Sequence, residues 1–193
     1  TIIGSDGQLR GSASSEIQTA IPHPGWTEQD PEAWYQGLCA AVPRTLVAAR
    51  LDATAISAIS FSAGAHTPVL LDKDDKIIRP AILWSDQRSG VESRELTEQA
   101  GEMIHRVGLN APNPTWTLPQ LKWLQRHEPE SVARTKRLFV AKDYLRFRLT
   151  GLWHIDRIEA VGTLLADAKA QTWSKEICDL IGWDMETLPP IVE

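Results

Sequence analysis

The stretch Ile56–Ser89 constrains the fold of this chain more than any other. It holds three short runs of β-branched and apolar residues, Ile56–Phe61, Val69–Leu71 and Ile77–Leu83. Runs of that length and composition, bounded by small and polar residues, predict strands, the last two joined as a hairpin. Each of the outer runs ends in a polar cluster: Ser62-Ala63-Gly64-Ala65-His66 after the first, Trp84-Ser85-Asp86-Gln87-Arg88 after the third. The small residues of the first cluster let the backbone approach a ligand closely. Polar groups gathered at the ends of adjacent strands are where open α/β sheets place ligands. His66 and Asp86 are therefore expected to open into one cleft on the same side of a sheet.

The rest of the chain supplies elements to pack on that sheet. Ser5-Asp6-Gly7-Gln8 predicts a tight hairpin between Ile2-Ile3 and a second strand within Leu9–Ile21. Asp30-Pro31 is a helix start, followed by Trp34, Leu38, Val42 and Leu46 on one face, with a kink expected at Pro43. Ser89-Gly90-Val91-Glu92 fits a capping box opening a helix that runs to Gly101, with a separate helical turn over Met103–Val107. Further helices are predicted at Pro119–His127, Lys142–Leu149, Ile158–Leu165 and Ser174–Ile181, and a strand at Leu138–Val140. Strands followed by strand–helix alternation imply a mixed sheet flanked by helices.

Composition narrows the function. At 193 residues the chain can bury one good core, and its net charge of −5 argues against a nucleic-acid surface. Cys39 and Cys178 lie far apart in helical patterns, which suits a reducing, cytoplasmic setting rather than a disulfide or metal framework. No apolar run reaches the ~18 residues of a membrane span. The eight tryptophans read mainly as packing residues at helical spacing, except Trp84 and Trp116, which fall in loops beside polar residues. The sequence has no Gly-x-x-x-x-Gly-Lys-Ser/Thr loop, dinucleotide glycine fingerprint, His-Glu-x-x-His spacing or serine elbow. No catalytic, cofactor-binding or metal-ligating residue is therefore assigned.

Four residues are candidates for substrate binding. A lone histidine beside small residues is often structural, but the imidazole of His66 can both donate to and accept from a hydroxyl. Ala65 sits directly beside it. Asp86 is either a helix cap or a carboxylate accepting from substrate hydroxyls, with Arg88 holding it in place. Asp143, Asp156 and Asp167 read as capping or surface carboxylates, and Lys142 as a solvated helix lysine.

The order Ser62-Ala63-Gly64-Ala65-His66, then Arg79-Pro80-Ala81-Ile82-Leu83-Trp84-Ser85-Asp86-Gln87-Arg88, resembles the amino-terminal domain of FGGY-family carbohydrate kinases, closest to their xylulokinase members. The resemblance continues through Lys142-Asp143-Tyr144-Leu145, Leu149-Thr150-Gly151, Asp156, Gly162-Thr163-Leu164-Leu165 and Leu188-Pro189-Pro190. It implies a ribonuclease-H-like mixed sheet flanked by helices, one half of an actin/hexokinase-type ATPase. It further implies that residues 1–193 are the sugar-side domain, with the first strand and the carboxy-terminal ATP domain lying outside them. The implied activity is ATP- and Mg²⁺-dependent phosphorylation of a sugar hydroxyl, the substrate being a pentulose such as D-xylulose. A gluconate or other polyol kinase, or a non-catalytic sugar-binding or regulatory module, is the alternative. The expected partner is a sugar or polyol, with no nucleic acid or membrane, and a homodimer is an assembly open to it. The resemblance places His66 on the sugar and Asp86 in the matching Trp-x-Asp-x-Arg motif. Gly64 and Ala65 depart from the pattern, which has Gln and Met there, so they put the identity of the sugar in question. Ile158, Val161 and Ala166 also depart, away from that site.

Overall fold

A computed structural model describes residues 1–193. The strands are β1 (Ile2–Ile3), β2 (Leu9–Gly11), β3 (Glu28–Gln29), β4 (Pro68–Leu71), β5 (Ala81–Ile82), β6 (Arg137–Val140), β7 (Ile155–Asp156), β8 (Ala166–Asp167), β9 (Thr172–Trp173) and β10 (Ile191–Val192). The helices are α1 (Pro31–Ala49), α2 (Gly90–Gly108), α3 (Thr117–His127), α4 (Pro129–Arg134), α5 (Ala141–Thr150), α6 (Arg157–Gly162) and α7 (Lys175–Ile181). No helix is long and apolar enough to cross a membrane.

The centre is the antiparallel pair β4–β6, in the register Pro68↔Val140, Val69↔Phe139, Leu70↔Leu138 and Leu71↔Arg137. Successive strand side chains point to opposite faces, and the packing follows that period. Leu70 and Leu138 join Leu96 and Ile104 of α2, Leu118, Leu121 and Leu124 of α3 and Ile177 of α7 in the main core. Val69, Leu71 and Phe139 face the other way, onto Tyr144 of α5 with Trp34 of α1 alongside. A pair buried on both faces separates two helical layers. Each fully buried Leu, Val or Phe contributes about 1.5–3 kcal/mol, so a one-residue slip, which would exchange the two faces, is strongly disfavoured.

The remaining ladders are short: β1–β2, β3–β5 and β8–β9 antiparallel, β7–β10 parallel. The predicted strand Ile56–Phe61 is not one here. It forms no ladder, and Ile59 is 65 % exposed. Leu9–Ile21 is likewise paired only at β2 and at an isolated bridge from Ala20 to Glu28. The Ile77–Leu83 run pairs as β5 and through a bridge from Ile77 to Leu71, which closes the expected hairpin.

Helix starts behave as their residues dictate, with two corrections. The Asp30 side chain accepts from Glu32 N, and Pro31 occupies the first turn of α1, which continues through Pro43 to a left-handed Arg50. Ser174 and Asp156 cap α7 and α6 through their side chains. Ser89 makes no capping bond; its Oγ donates to Pro114 O, and Glu92 accepts from Arg126 instead of reaching back. Helix α2 does not end at Gly101 but absorbs the Met103–Val107 turn, bending at Ala100 (φ −151°, ψ 20°). Helix α4, which opens on Pro129, and the β8–β9 hairpin add to the predicted elements.

Candidate functional site

His66 sits in the turn between the unpaired Ile56–Phe61 segment and β4, with φ 46°. The left-handed region is unfavourable for a residue with a Cβ and persists only where its surroundings fix it. Here Thr117 Oγ1 donates to His66 O at 2.7 Å, and the His66 N–H donates to Glu159 Oε1 at 2.7 Å. The imidazole stacks on Trp116, with ring centres 4.5 Å apart and planes 5° from parallel. Its Nδ1 is buried with no partner. An Nδ1–H there would be an orphaned donor, the costlier kind of unsatisfied group. The ring proton is therefore placed on Nε2.

Burial holds the His66 imidazole below the ordinary histidine range. The unfolded chain then binds more protons than the native state at acid pH. A stability penalty sets in as pH falls through the unfolded value of about 6.5 and is complete below the depressed native value. In a ¹⁵N-histidine NMR titration of the full-length protein, His66 is expected to stay the Nε2–H tautomer at neutral pH and to titrate below free histidine. A midpoint at or above the free value would contradict this placement.

The second polar cluster is organised differently from expectation. Asp86 is fully buried. Its Oδ1 accepts from Arg88 N at 2.8 Å and Arg88 Nε at 2.9 Å; its Oδ2 accepts from Thr27 N at 2.6 Å and Arg88 Nη2 at 2.8 Å. All the lone-pair directions of the carboxylate are taken, so Asp86 does not open into a cleft beside His66. Nor does it cap α2, which begins after Ser89. Arg88, also buried, donates from Nη1 to Glu28 Oε1 at 2.7 Å and lies between Trp26 and Trp123, 3.9 and 5.1 Å from their ring centres. Glu28 Oε1 also accepts from Arg79 Nη2 at 2.6 Å, and Arg79 Nε donates to Glu128 Oε2 at 2.8 Å. This five-charge network pins the Trp84–Arg88 turn to β3 and the start of α4. Glu28, Arg79 and Trp26 carry no site signal in the sequence; their partners lie some 50 to 60 positions away, where periodicity gives none.

What the turn presents outward is Trp84, 56 % exposed. Its indole lies over Gly64, where a Cβ would stand 2.7 Å from Trp84 Cδ1 and 3.2 Å from Nε1. Only a glycine permits that approach without moving the ring. Ala63, Gly64, Thr67 and Trp84, with Trp34 and Leu38 of α1, line a largely apolar cavity of about 490 Å³. The two loops predicted to form a site thus meet at one cavity, with Ala65 exposed beside His66, which lies just outside its lining.

The late acidic residues are structural. Asp156 caps α6, Asp167 accepts from Lys169 N and Ala170 N, and Asp143 is buried against Lys142 and Arg146. Lys142 is not a solvated lysine. Burial works against its charge, but its bonds to Asp156 and Asp143 outweigh that and hold its pKa above the ordinary value.

The family model for the FGGY family of carbohydrate kinases, N-terminal domain, matches residues 1–193. A xylulose kinase from Bacillus subtilis (strain 168) is 34 % identical over 192 residues, covering 100 % of this chain and 38 % of that protein. One from Lactococcus lactis subsp. lactis (strain IL1403) is 36 % identical, covering 97 % of this chain and 37 % of that protein. Among solved structures, a xyloylose kinase from Brucella ovis matches with a TM-score of 0.87 at 35 % identity, over 92 % of this chain and 36 % of that one. A gluconate kinase from Lactobacillus acidophilus matches with a TM-score of 0.86 at 24 % identity, over 93 % and 36 %, a likeness of fold alone. The α/β architecture is therefore that of these sugar kinases, and the chain spans less than two-fifths of the length of these relatives.

Proposed function

This chain belongs to the FGGY family of carbohydrate kinases, and on that premise we propose that it supplies the sugar-side half of an enzyme that phosphorylates a pentulose. Residues 1–193 form the amino-terminal domain; a first strand and an ATP-holding second domain complete the protein. The Ile56–Phe61 segment supports this division, because a β-branched run with no ladder partner, its Ile59 65 % exposed, has the backbone of a strand awaiting a neighbour.

The observation that carries the sugar-site reading is the meeting of the Gly64 and Trp84 loops at one cavity. His66 Nε2–H donates to a substrate hydroxyl. Trp84 offers an apolar wall to the C–H face of the sugar, and Ala65 leaves room beside the imidazole. Asp86 and Arg88 serve the same site by holding the Trp84 turn rather than by lending a free carboxylate. No group of three or more His, Cys, Asp or Glu side chains in this chain is arranged to hold a metal ion, and Mg²⁺ in phosphoryl transfer is held by the nucleotide's phosphates with one or two carboxylates. ATP and Mg²⁺ are assigned to the remainder of the protein, where the γ-phosphoryl group is positioned for in-line transfer.

D-xylulose is the leading substrate because curated relatives 34 % and 36 % identical bear the name xylulose kinase. The room over Gly64 is taken by Trp84, but Ala65 leaves more space beside His66 than Met would, so the full-length protein is expected to act on at least one further sugar or polyol. An ADP-release panel with D-xylulose, D-ribulose, D-gluconate and glycerol checks both points. Activity on D-xylulose alone would refute the widened specificity, and no ADP release with any compound would favour the non-catalytic module.

A further inference from the structure

Glu159 lies in the first turn of α6, yet its Oε1 accepts the backbone N–H of a residue 93 positions earlier, His66, at 2.7 Å. That residue has the left-handed φ of 46° that only its surroundings can maintain. The two polar groups of the His66 backbone are tied to different helices, the N–H to Glu159 of α6 and the carbonyl to Thr117 of α3. The ring is seated by the same two helical elements, with Trp116 on its face and Gly162 against Nδ1, where a Cβ would stand at 3.1 Å. Glu159 is itself fixed. Asp156 Oδ1 accepts from both Ile158 N and Glu159 N at 3.0 Å, and Asp156 is bound in turn by Lys142 of α5. A connected path of charge and hydrogen bonds thus runs from α5 through the α6 cap to the His66 backbone.

We propose that Glu159 is a positioning residue for substrate binding, its carboxylate holding the His66 turn in the left-handed conformation that aims Nε2 at the sugar. The inference rests on the reading that His66 contacts the substrate. It assigns to α6, an element outside both predicted polar clusters, control of how tightly the sugar is held. Glu159 does not touch the reacting atoms, so its loss weakens ground-state and transition-state binding alike and raises KM more than it lowers kcat.

The test uses the full-length protein with D-xylulose and D-gluconate as probes and ADP release as the readout. Glu159→Leu removes the acceptor and is expected to raise KM about tenfold, with kcat changed less than about threefold. Glu159→Gln retains an oxygen that can accept the same N–H and is expected to stay within about twofold of the parent. Glu159→Asp keeps the charge but falls a methylene short, and is expected to behave like the leucine variant, which keeps the proposal testable if that variant fails to fold. His66→Ala should raise KM by itself, and adding Glu159→Leu to it should raise KM no further. If His66→Ala leaves KM unchanged, or the parent releases no ADP with either probe, the site reading fails and the inference with it. If His66→Ala raises KM but Glu159→Asp matches the parent, or Glu159→Gln fails as badly as Glu159→Leu, or the double variant adds a further rise, the positioning role is overturned while the site reading stands.

Discussion

Asp86→Ala in the full-length protein is expected to destabilise the domain by about 3–5 kcal/mol, the range for removing one partner of a buried ion pair. The mechanism is specific. The Asp86 carboxylate accepts from Thr27 N and from three nitrogens of Arg88. Alanine leaves those donors without their acceptor in a buried site. Arg88 keeps Glu28 and its two tryptophan faces, so the guanidinium is not stranded, but two of its three hydrogen bonds are lost. For a domain of this size, about 2–4 °C of Tm follows each kcal/mol, so a fall on the order of 10 °C is expected by thermal unfolding. Asp86→Asn should recover little, because its Nδ2 would point a donor at donors. Activity should fall as well, since the Trp84 turn loses its anchor. A variant with Tm within about 2 °C of the parent but a reduced kcat/KM would reverse the assignment and restore Asp86 as a direct sugar ligand.

That revision shows what the residues alone could convey. The β4 and β6 runs were legible because a short continuous apolar run is a local property, and a pair packed on both faces must be apolar throughout. The meeting of the Gly64 and Trp84 loops at one cavity was legible for a similar reason, both being polar breaks at the ends of such runs. The state of Asp86 was not. The spacing Asp-x-Arg is the same whether the carboxylate faces a ligand or closes on its own arginine, and the deciding partners, Thr27 and Glu28, come from a strand about 60 positions earlier. Ser89 and Glu92 make the same point. They have capping-box spacing, yet tertiary partners, Pro114 and Arg126, took both side chains. Glu159 carries no signal in the sequence, and only the approach of the His66 backbone gives it a role. Ile56–Phe61 has the composition of a strand, but a strand exists only with a neighbour, and none of residues 1–193 supplies one.

The last of these bears on what residues 1–193 can do by themselves. Expressed alone, they are expected to release no ADP in response to any sugar, whereas the full-length protein does so under the same conditions. Phosphoryl transfer depends chiefly on placing two substrates in line and stabilising charge at the γ-phosphate, and loss of that placement removes most of the rate. The relatives that share this domain are more than twice its length; the Bacillus subtilis protein has 38 % of its residues in the matched part. The proposed division puts the sugar on this side of the cleft and the nucleotide on the other, with closure excluding water. In the isolated piece the cavity beside Gly64 and Trp84 stays open to solvent, and Ile59 remains 65 % exposed on an unpaired segment. Each hydrogen bond from His66 to a hydroxyl then competes with bulk water, so sugar affinity should also be poor, with Kd on the order of millimolar or weaker. Calorimetric titration of D-xylulose into the segment measures the second point, and a coupled ADP assay across the sugar panel measures the first. Sugar-dependent ADP release by the segment would sink the half-enzyme reading outright, and tight sugar binding without ADP release would show that the amino-terminal domain forms the whole sugar site without its partner.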